Sequence, residues 1–435
     1  MKVLHLATQD IAGGGGGFDG AYRLHRNMRS SGIDSRMAVM TKLSDDPYVA
    51  DAMSQLTFTE KLRLCWREGV IRRLRRRFEP FHYFIDISQE RVAANRLLAM
   101  HSFQPDVIIA HWVSNFVTAG TLRDLNRMTL APILWYFMDM APLTGGCHYA
   151  FDCTGYTRQC GNCPQLGAGN GVHDLSHRQW HSKWENMQKT NITAVAASSW
   201  LQSKLKSGSA FRNKRHEKIL LAVDTNIFCP IPQERARKQL DLPTGRKIIF
   251  FGANKLHEER KGIRYLIGAL RLLHAMLDDN VALRDQILVV IAGESGGSVV
   301  LDVPFEHKHI GFLMGDNILA SGYQAADVFV NASIEDAGPM MINESILCGT
   351  PVVAFEMGVA LDLVHTDKTG YRATLKDEQD MAAGLRRILE MKDEARDEMR
   401  ERCRNYGLQM CHPDVQVRAF ETLCKELIAT GKIQT

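Results

Sequence analysis

No stretch of about 18 consecutive apolar residues occurs in this chain of 435 residues, so nothing in it reads as a membrane-spanning helix. The net charge is only +4, too small to point to nucleic acid as a partner. The opening Met-Lys-Val-Leu-His-Leu-Ala-Thr runs into glycines rather than a longer apolar core with a cleavage site, which reads against a secretory leader. Internal repeats and low-complexity linkers are also missing, which removes the solenoid and disordered classes. Disulfides are not expected: ten cysteines in a chain with a cytosolic character argue for thiols or a bound metal. What remains is an ordinary globular composition, 45% hydrophobic and 23% charged, in a chain too long for one core and suited to about two or three domains. The cytoplasm is the expected compartment.

Apolar runs at Val3–Ala7, Met37–Met40, Val107–Ala110, Ile133–Phe137 and Ile192–Ala197 alternate with helical stretches, among them Phe18–Ser30 and Ser88–His101. A second series has Lys247–Phe251, a helix from Gly262 to about Leu277, Gln286–Ala292, Val328–Val330 and Pro351–Phe355. That alternation predicts two α/β halves, each a parallel sheet with helices on both faces. The join falls around Ser207–Val223, and a helical tail runs from Asp377 to Ile433. Ligands in such sheets bind beyond the C-terminal ends of the strands, so the cleft between the halves is the expected site.

The richest segment runs from Asp336 through Ala-Gly-Pro-Met-Met-Ile-Asn to Glu344, then Ser-Ile-Leu-Cys-Gly349-Thr350-Pro351 and the apolar run to Phe355. Pro339 suits a first helical turn, where its missing N–H costs nothing. Met340, Met341, Ile346 and Leu347 supply a buried helical face, and Gly349 suits the left-handed stop. Asp336 then lies in the loop before the helix and Glu344 within it. Both can point at one ligand across the helix N-terminus, where free N–H groups and the dipole favour a phosphate. A polyhydroxylated, anionic small molecule such as a nucleotide sugar fits that chemistry.

This segment resembles the carboxylate motif of retaining nucleotide-sugar glycosyltransferases of GT-B fold, the group 1 type. There, two glutamates with seven residues between them precede a Gly-Thr-Pro-Val-Val-Ala run. The resemblance implies that Glu344 holds the donor ribose and that Asp336, one methylene shorter than the usual glutamate, meets the transferred sugar; the adjacent Glu335 can substitute. It implies two Rossmann-like domains facing a cleft, with the last helix crossing back to the N-terminal domain. Lys261 matches the lysine that clamps the diphosphate, while the usual arginine position holds Ala253, leaving Arg260 or Lys255 as second cation. Gly252 and Gly293 end strands where a ligand can approach the backbone, and Phe312 lies in the segment resembling the nucleobase cradle. Val223-Asp224-Thr225-Asn226-Ile227-Phe228 resembles the family's interdomain segment.

Gly14, Gly15 and Gly16 belong to a run, Gly13–Gly17, that also satisfies the dinucleotide fingerprint as Gly15-x-Gly17-x-x-Gly20. A nicotinamide-dependent oxidoreductase is therefore a competing reading. The fingerprint wants an acid about twenty positions on; Asp34 is near but precedes the second strand rather than ending it. In the transferase reading the same loop brings backbone N–H groups to the donor phosphate. A non-catalytic sugar-nucleotide or glycan-binding homologue is the third reading.

Cys147, Cys153, Cys160 and Cys163 follow a C-x5-C-x6-C-x2-C pattern in a glycine-rich stretch of weak periodicity. Four thiolates with a C-x2-C knuckle suit a structural zinc, which would staple a long loop; an iron–sulfur cluster takes the same ligands. The stretch from Asp139 to Leu166 also resembles a colanic-acid-type subgroup of these transferases, acting in bacterial exopolysaccharide and O-antigen assembly. Met138 stands where that subgroup usually has histidine. It can neither donate a hydrogen bond nor move a proton, so His111, His148 or Asp139 takes the role, or none is needed. In the last case the leaving diphosphate helps deprotonate the acceptor, and no divalent metal is required for catalysis.

Residues 61–78 carry eight cations against one acid, with Leu62, Trp66, Val70, Leu74 and Phe78 spaced every four residues. A basic amphipathic helix with tryptophan reads as a membrane-surface element, which would suit a lipid-linked saccharide acceptor at the inner membrane face. The expected organisation is an acceptor-side domain over 1–215 with a Cys-rich insert at about 139–170, a nucleotide-sugar domain over 216–410, and a terminal helix over 411–435. The expected activity is retaining transfer of a hexose-type sugar from a nucleotide-diphosphate donor to that acceptor.

Overall fold

The computed structural model describes residues 1–11, 17–75, 90–101, 103–167, 171–294, 302–338 and 340–433. They form two compact units, one of Met1–Ala197, Leu201–Ile219 and Gln416–Thr435, the other of Ser198–Trp200 and Leu220–Val415. The last helix, Pro413–Ile433, thus belongs to the first unit from Gln416 onward.

The first unit is built on β1 (Lys2–Gln9), β2 (Asp34–Thr41), β3 (Val49–Asp51), β4 (Val107–Ala110), β5 (Ile133–Phe137), β6 (Ile192–Ala196) and β7 (Arg215–Lys218), in the order β3-β2-β1-β4-β5-β6-β7. Every pairing is parallel. The central strands β4, β5 and β6 are buried along their whole length, as a sheet covered on both faces requires. The second unit holds β8 (Lys247–Lys255), β9 (Ile287–Glu294), β10 (Glu306–His309), β11 (Val328–Asn331), β12 (Val352–Phe355) and β13 (Gly370–Ala373), also all parallel, in the order β10-β9-β8-β11-β12-β13. Two parallel doubly wound sheets are the expected fold class.

The two outer strands of each sheet, β3 and β7, then β10 and β13, carry no apolar run in the sequence. Arg215-His-Glu-Lys218 and Glu306-His-Lys-His309 are polar throughout, because an edge strand buries little and is protected from further pairing by charge. Two helical expectations need correction. Among the described residues only Ala94–Ala99 of Ser88–His101 is helical, and the tail is three helices, Glu378–Leu389, Asp393–Cys411 and Pro413–Ile433. Pro413 is the cause of the last break, since it cannot donate to the preceding turn.

In the second unit Tyr323 sits edge-on to Phe250 and Phe329, with ring centroids 5.4 and 5.2 Å away. In the first, Tyr136 is fully buried on β5, packs edge-on against Phe420 at 5.1 Å and donates its hydroxyl to the Ile219 carbonyl at 2.7 Å. Gln416 Nε2 donates to the same hydroxyl at 3.3 Å, so one phenol secures the terminal helix to the sheet. Among the described residues no helix is long and apolar enough to cross a membrane.

Tyr136→Phe leaves the Ile219 carbonyl buried without its donor, a loss of about 1–3 kcal/mol. A lower urea midpoint at unchanged slope is the expected result.

Candidate functional site

In the second unit the strand order reverses at the centre, where β8 lies between β9 and β11. The segments leaving β8 and β11 supply the charged residues. Glu259–Lys261 forms a single tight turn ended by Gly262, whose φ is +66°. A Cβ at Gly262 would lie 1.9 Å from the Ala332 carbonyl oxygen, so only glycine lets the turn settle against the loop after β11. The Ile334 amide completes that seam by donating to the Arg260 carbonyl at 2.8 Å.

The seam brings three side chains together. Lys261 Nζ donates to Asp336 Oδ2 at 2.7 Å and Arg260 to the same oxygen at 2.9 Å, while Arg260 also pairs with Glu258 at 2.8 Å. Burial alone would raise the Asp336 carboxyl, but the Lys261 and Arg260 cations with their hydrogen bonds outweigh it and hold it below the usual carboxylate range. Asp336 therefore stays ionised, and two cations converge on one buried oxygen. Lys255 is exposed at the end of β8.

Glu344 is buried on the helix Met340–Leu347 and accepts the Tyr323 hydroxyl at 2.8 Å. Burial first, then the Glu344 charge, pushes the Tyr323 phenol well above its ordinary range, so it remains a neutral donor. Met340 and Met341 are half-buried at the start of that helix. Gly252 lies inside β8, which continues to Lys255, against the Met341 side chain. Gly293 donates its amide to the Gly311 carbonyl at 2.8 Å, and Phe312 follows, half-buried. Gly14, Gly15, Gly16 and Pro339 lie outside the described residues.

The first unit has its own polar cluster beyond β4 and β5. His111, Trp112, Met138 and Asp139 line one cavity of about 400 Å³. Asp139 Oδ2 accepts Trp112 Nε1–H at 2.6 Å and the His148 Nδ1–H in a shorter bond, and Oδ1 accepts the Ala141 amide at 2.8 Å. With both ring nitrogens donating to Asp139, the 3.2 Å approach of Trp112 to His148 Nδ1 is a contact between donors. Burial raises the Asp139 carboxyl, and the His148 charge and these bonds more than reverse it. His111 Nε2 lies 2.8 Å from His5 Nδ1. Burial and then the nearby His25 lower His111 to about 3, so it is neutral at physiological pH and unsuited to act as an acid.

All four cysteines of the insert line a second cavity, about 320 Å³. Burial pushes the Cys160 thiol up to about 12. Among the described residues no three His, Cys, Asp or Glu side chains already stand at metal-ligand spacing.

Sequence reasoning missed Tyr323 and His5. The signal for His5 was present, a histidine inside the apolar Val3–Ala7 run. Tyr323 had none, because its pairing with Glu344 spans separate elements.

Because the folded Asp336 carboxyl is depressed, the stability it contributes is present above the unfolded value of about 4 and is lost as pH falls through the folded value. Asp336→Asn should cost about 3 kcal/mol by leaving buried Lys261 without its carboxylate, and should flatten the acid limb of a melting-temperature profile between pH 7 and the acid transition.

Against known proteins, residues 232–410 match the family Glycosyl transferases group 1. D-inositol 3-phosphate glycosyltransferase of Geodermatophilus obscurus is 29% identical over 179 residues, 38% of either chain. An uncharacterized glycosyltransferase of Methanocaldococcus jannaschii is 27% identical over 160 residues, 35% of this chain and 38% of that one. The chain thus spans about two fifths of the length of these curated relatives. Sucrose-phosphate synthase from Thermosynechococcus elongatus superposes with a TM-score of 0.68 at 16% identity, covering 99% of this chain and 100% of that one. Anabaena Alr3699/HepE, solved with UDP and glucose, gives 0.60 at 16%, covering 98% and 100%. The chain has the GT-B fold, and residues 232–410 of its second unit match the Glycosyl transferases group 1 family.

Proposed function

We propose that this chain is a retaining glycosyltransferase that moves a hexose-type sugar from a nucleotide-diphosphate donor to an acceptor hydroxyl. The observation that carries the reading is the convergence of Arg260 and Lys261 on buried Asp336 at the ends of β8 and β11, in the segment matching group 1 transferases. Two cations fixed at one point suit a diphosphate, and their field stabilises it as it leaves. In this reading Arg260 and Lys261 hold the diphosphate, Glu344 accepts the ribose hydroxyls, and Asp336 meets the transferred sugar. The leaving phosphate oxygen receives the acceptor proton, so Met138 in place of a histidine is tolerated and a catalytic divalent metal is unnecessary. The Anabaena neighbour solved with UDP favours a uridine donor.

The cavity beside Trp112 and Asp139 would receive the acceptor. Lipid linkage and a role in bacterial surface polysaccharide assembly, at the cytoplasmic face of the inner membrane, draw support from two features. One is the resemblance of residues 139–166 to exopolysaccharide enzymes. The other is the helix Phe58–Arg75, on which Phe58, Leu62, Trp66 and Val70 recur every fourth position and are all exposed, Trp66 by 72%. Lys61, Arg63, Arg67, Arg72, Arg73 and Arg75 share that helix. An exposed apolar stripe among cations suits an anionic lipid surface, at about 1 kcal/mol per cation near it.

A thermal-shift panel of UDP, GDP, ADP, NAD and NADP tests the donor half. One nucleoside diphosphate should raise the melting temperature by mass action, with or without EDTA. Glu344→Gln, which keeps an acceptor for Tyr323, should weaken that binding by about tenfold to a hundredfold, the worth of a charged hydrogen bond. A shift from NAD or NADP alone would sink the transferase reading; binding with neither transfer nor donor hydrolysis would leave a glycan-binding homologue.

For the membrane half, flotation with vesicles containing anionic lipid should recover the wild type at low salt, and Trp66→Glu should stay with the unbound fraction. Equal recovery on neutral vesicles, or no effect of Trp66→Glu, would remove the helix from the proposal.

A further inference from the structure

We propose that Cys147, Cys153, Cys160 and Cys163 bind one structural zinc ion that staples the segment between β5 and the helix Leu175–Gln188. All four cysteines line the same cavity of about 320 Å³. No histidine or carboxylate is among its lining residues, so sulfur is the donor set, which selects zinc or an iron–sulfur cluster over calcium or magnesium. The thiols are not yet at bonding distance; side-chain rotation must draw them to the roughly 2.3 Å of a zinc–sulfur bond.

Two backbone amides already point at sulfur. The Gly145 amide donates to Cys160 Sγ at 3.2 Å and the Gly155 amide to Cys153 Sγ at 3.5 Å, which is how outer partners orient metal-bound thiolates. A Cβ at Gly145 would lie 2.0 Å from the Ser176 carbonyl oxygen, so the donating amide depends on glycine there. Four thiolates around a divalent ion carry a net charge of about −2. Lys183, buried beside Cys160 and donating to the Ala141 and Thr144 carbonyls at 2.5 and 2.9 Å, is placed to offset it.

The segment also has a reason to need an ion. From Met138 to Asp174 its described residues contain only two short turns, Gly155–Thr157 and Pro164–Leu166. No disulfide closes it, since all ten cysteines are free. A connection this long with so little secondary structure is uncommon. Its ties include two from helix Leu175–Gln188 and its cap, where Asp174 accepts the Cys163 amide at 2.8 Å and His177 Nδ1 lies 2.9 Å from the Cys160 carbonyl, and one from Ser209, which donates to the Tyr156 carbonyl at 3.0 Å. Binding replaces four S–H bonds with four S–Zn bonds and releases four protons, so affinity should fall as the pH drops.

Elemental analysis of the full-length protein, purified without added metal, is the test. About one zinc per chain is expected, and it should be lost in a Cys160→Ser/Cys163→Ser variant and kept in Cys65→Ser, whose thiol is exposed elsewhere. Should the double variant fail to fold, the wild type still decides: a mercurial should release the zinc stoichiometrically, and cobalt substitution should give intense thiolate charge-transfer bands. Four freely reactive insert thiols with no metal, iron with acid-labile sulfide, or zinc retained by the double variant would each overturn the assignment.

Discussion

Buried negative charge is the constraint on which the second unit is arranged. A carboxylate removed from water costs several kcal/mol unless partners replace its hydration, and this unit buries Asp336 and Glu344 within eight residues of each other. Asp336 is answered by Lys261 and Arg260, Glu344 by a phenol from the aromatic core. The two solutions differ in consequence. The cation pair around Asp336, with Glu258 on Arg260, balances the buried charge at the strand ends. The neutral Tyr323 donates to Glu344 and fixes its position.

Those partners tie the site to the core. Tyr323 is held on Phe250 and Phe329, so the aromatic packing that stabilises the sheet also sets where Glu344 sits. Gly262 does the equivalent for the cations by allowing backbone to touch backbone. A change in either place moves charge at the site without touching a charged residue.

The first unit solves the same problem with different chemistry. Asp139 is buried against an indole, an imidazole and an amide rather than against lysine or arginine. A carboxylate satisfied by an indole, an imidazole and an amide keeps its charge without a lysine or arginine beside it. His5 and His111, lowered by burial, serve as neutral packing partners inside the sheet.

Much of this was legible in the sequence because the signals were local. Nine apolar runs marked the inner strands of both sheets, the Asp336–Phe355 segment carried its chemistry at fixed spacing, and Lys261 stood before a helix start. The four edge strands were silent, since a strand that buries one side of a short polar segment leaves no hydrophobic pattern. Asp336 and Lys261 were each readable, yet their 2.7 Å contact was not. Sequence alone determined the fold class, the charged residues and the cysteine spacing, all properties of neighbours along the chain. Tertiary structure decided which carboxylate meets cations and which meets tyrosine, that the stripe on Phe58–Arg75 faces outward, and that four cysteines surround one cavity. Those outcomes depend on residues far apart in sequence, whose proximity only the packing of the sheets creates.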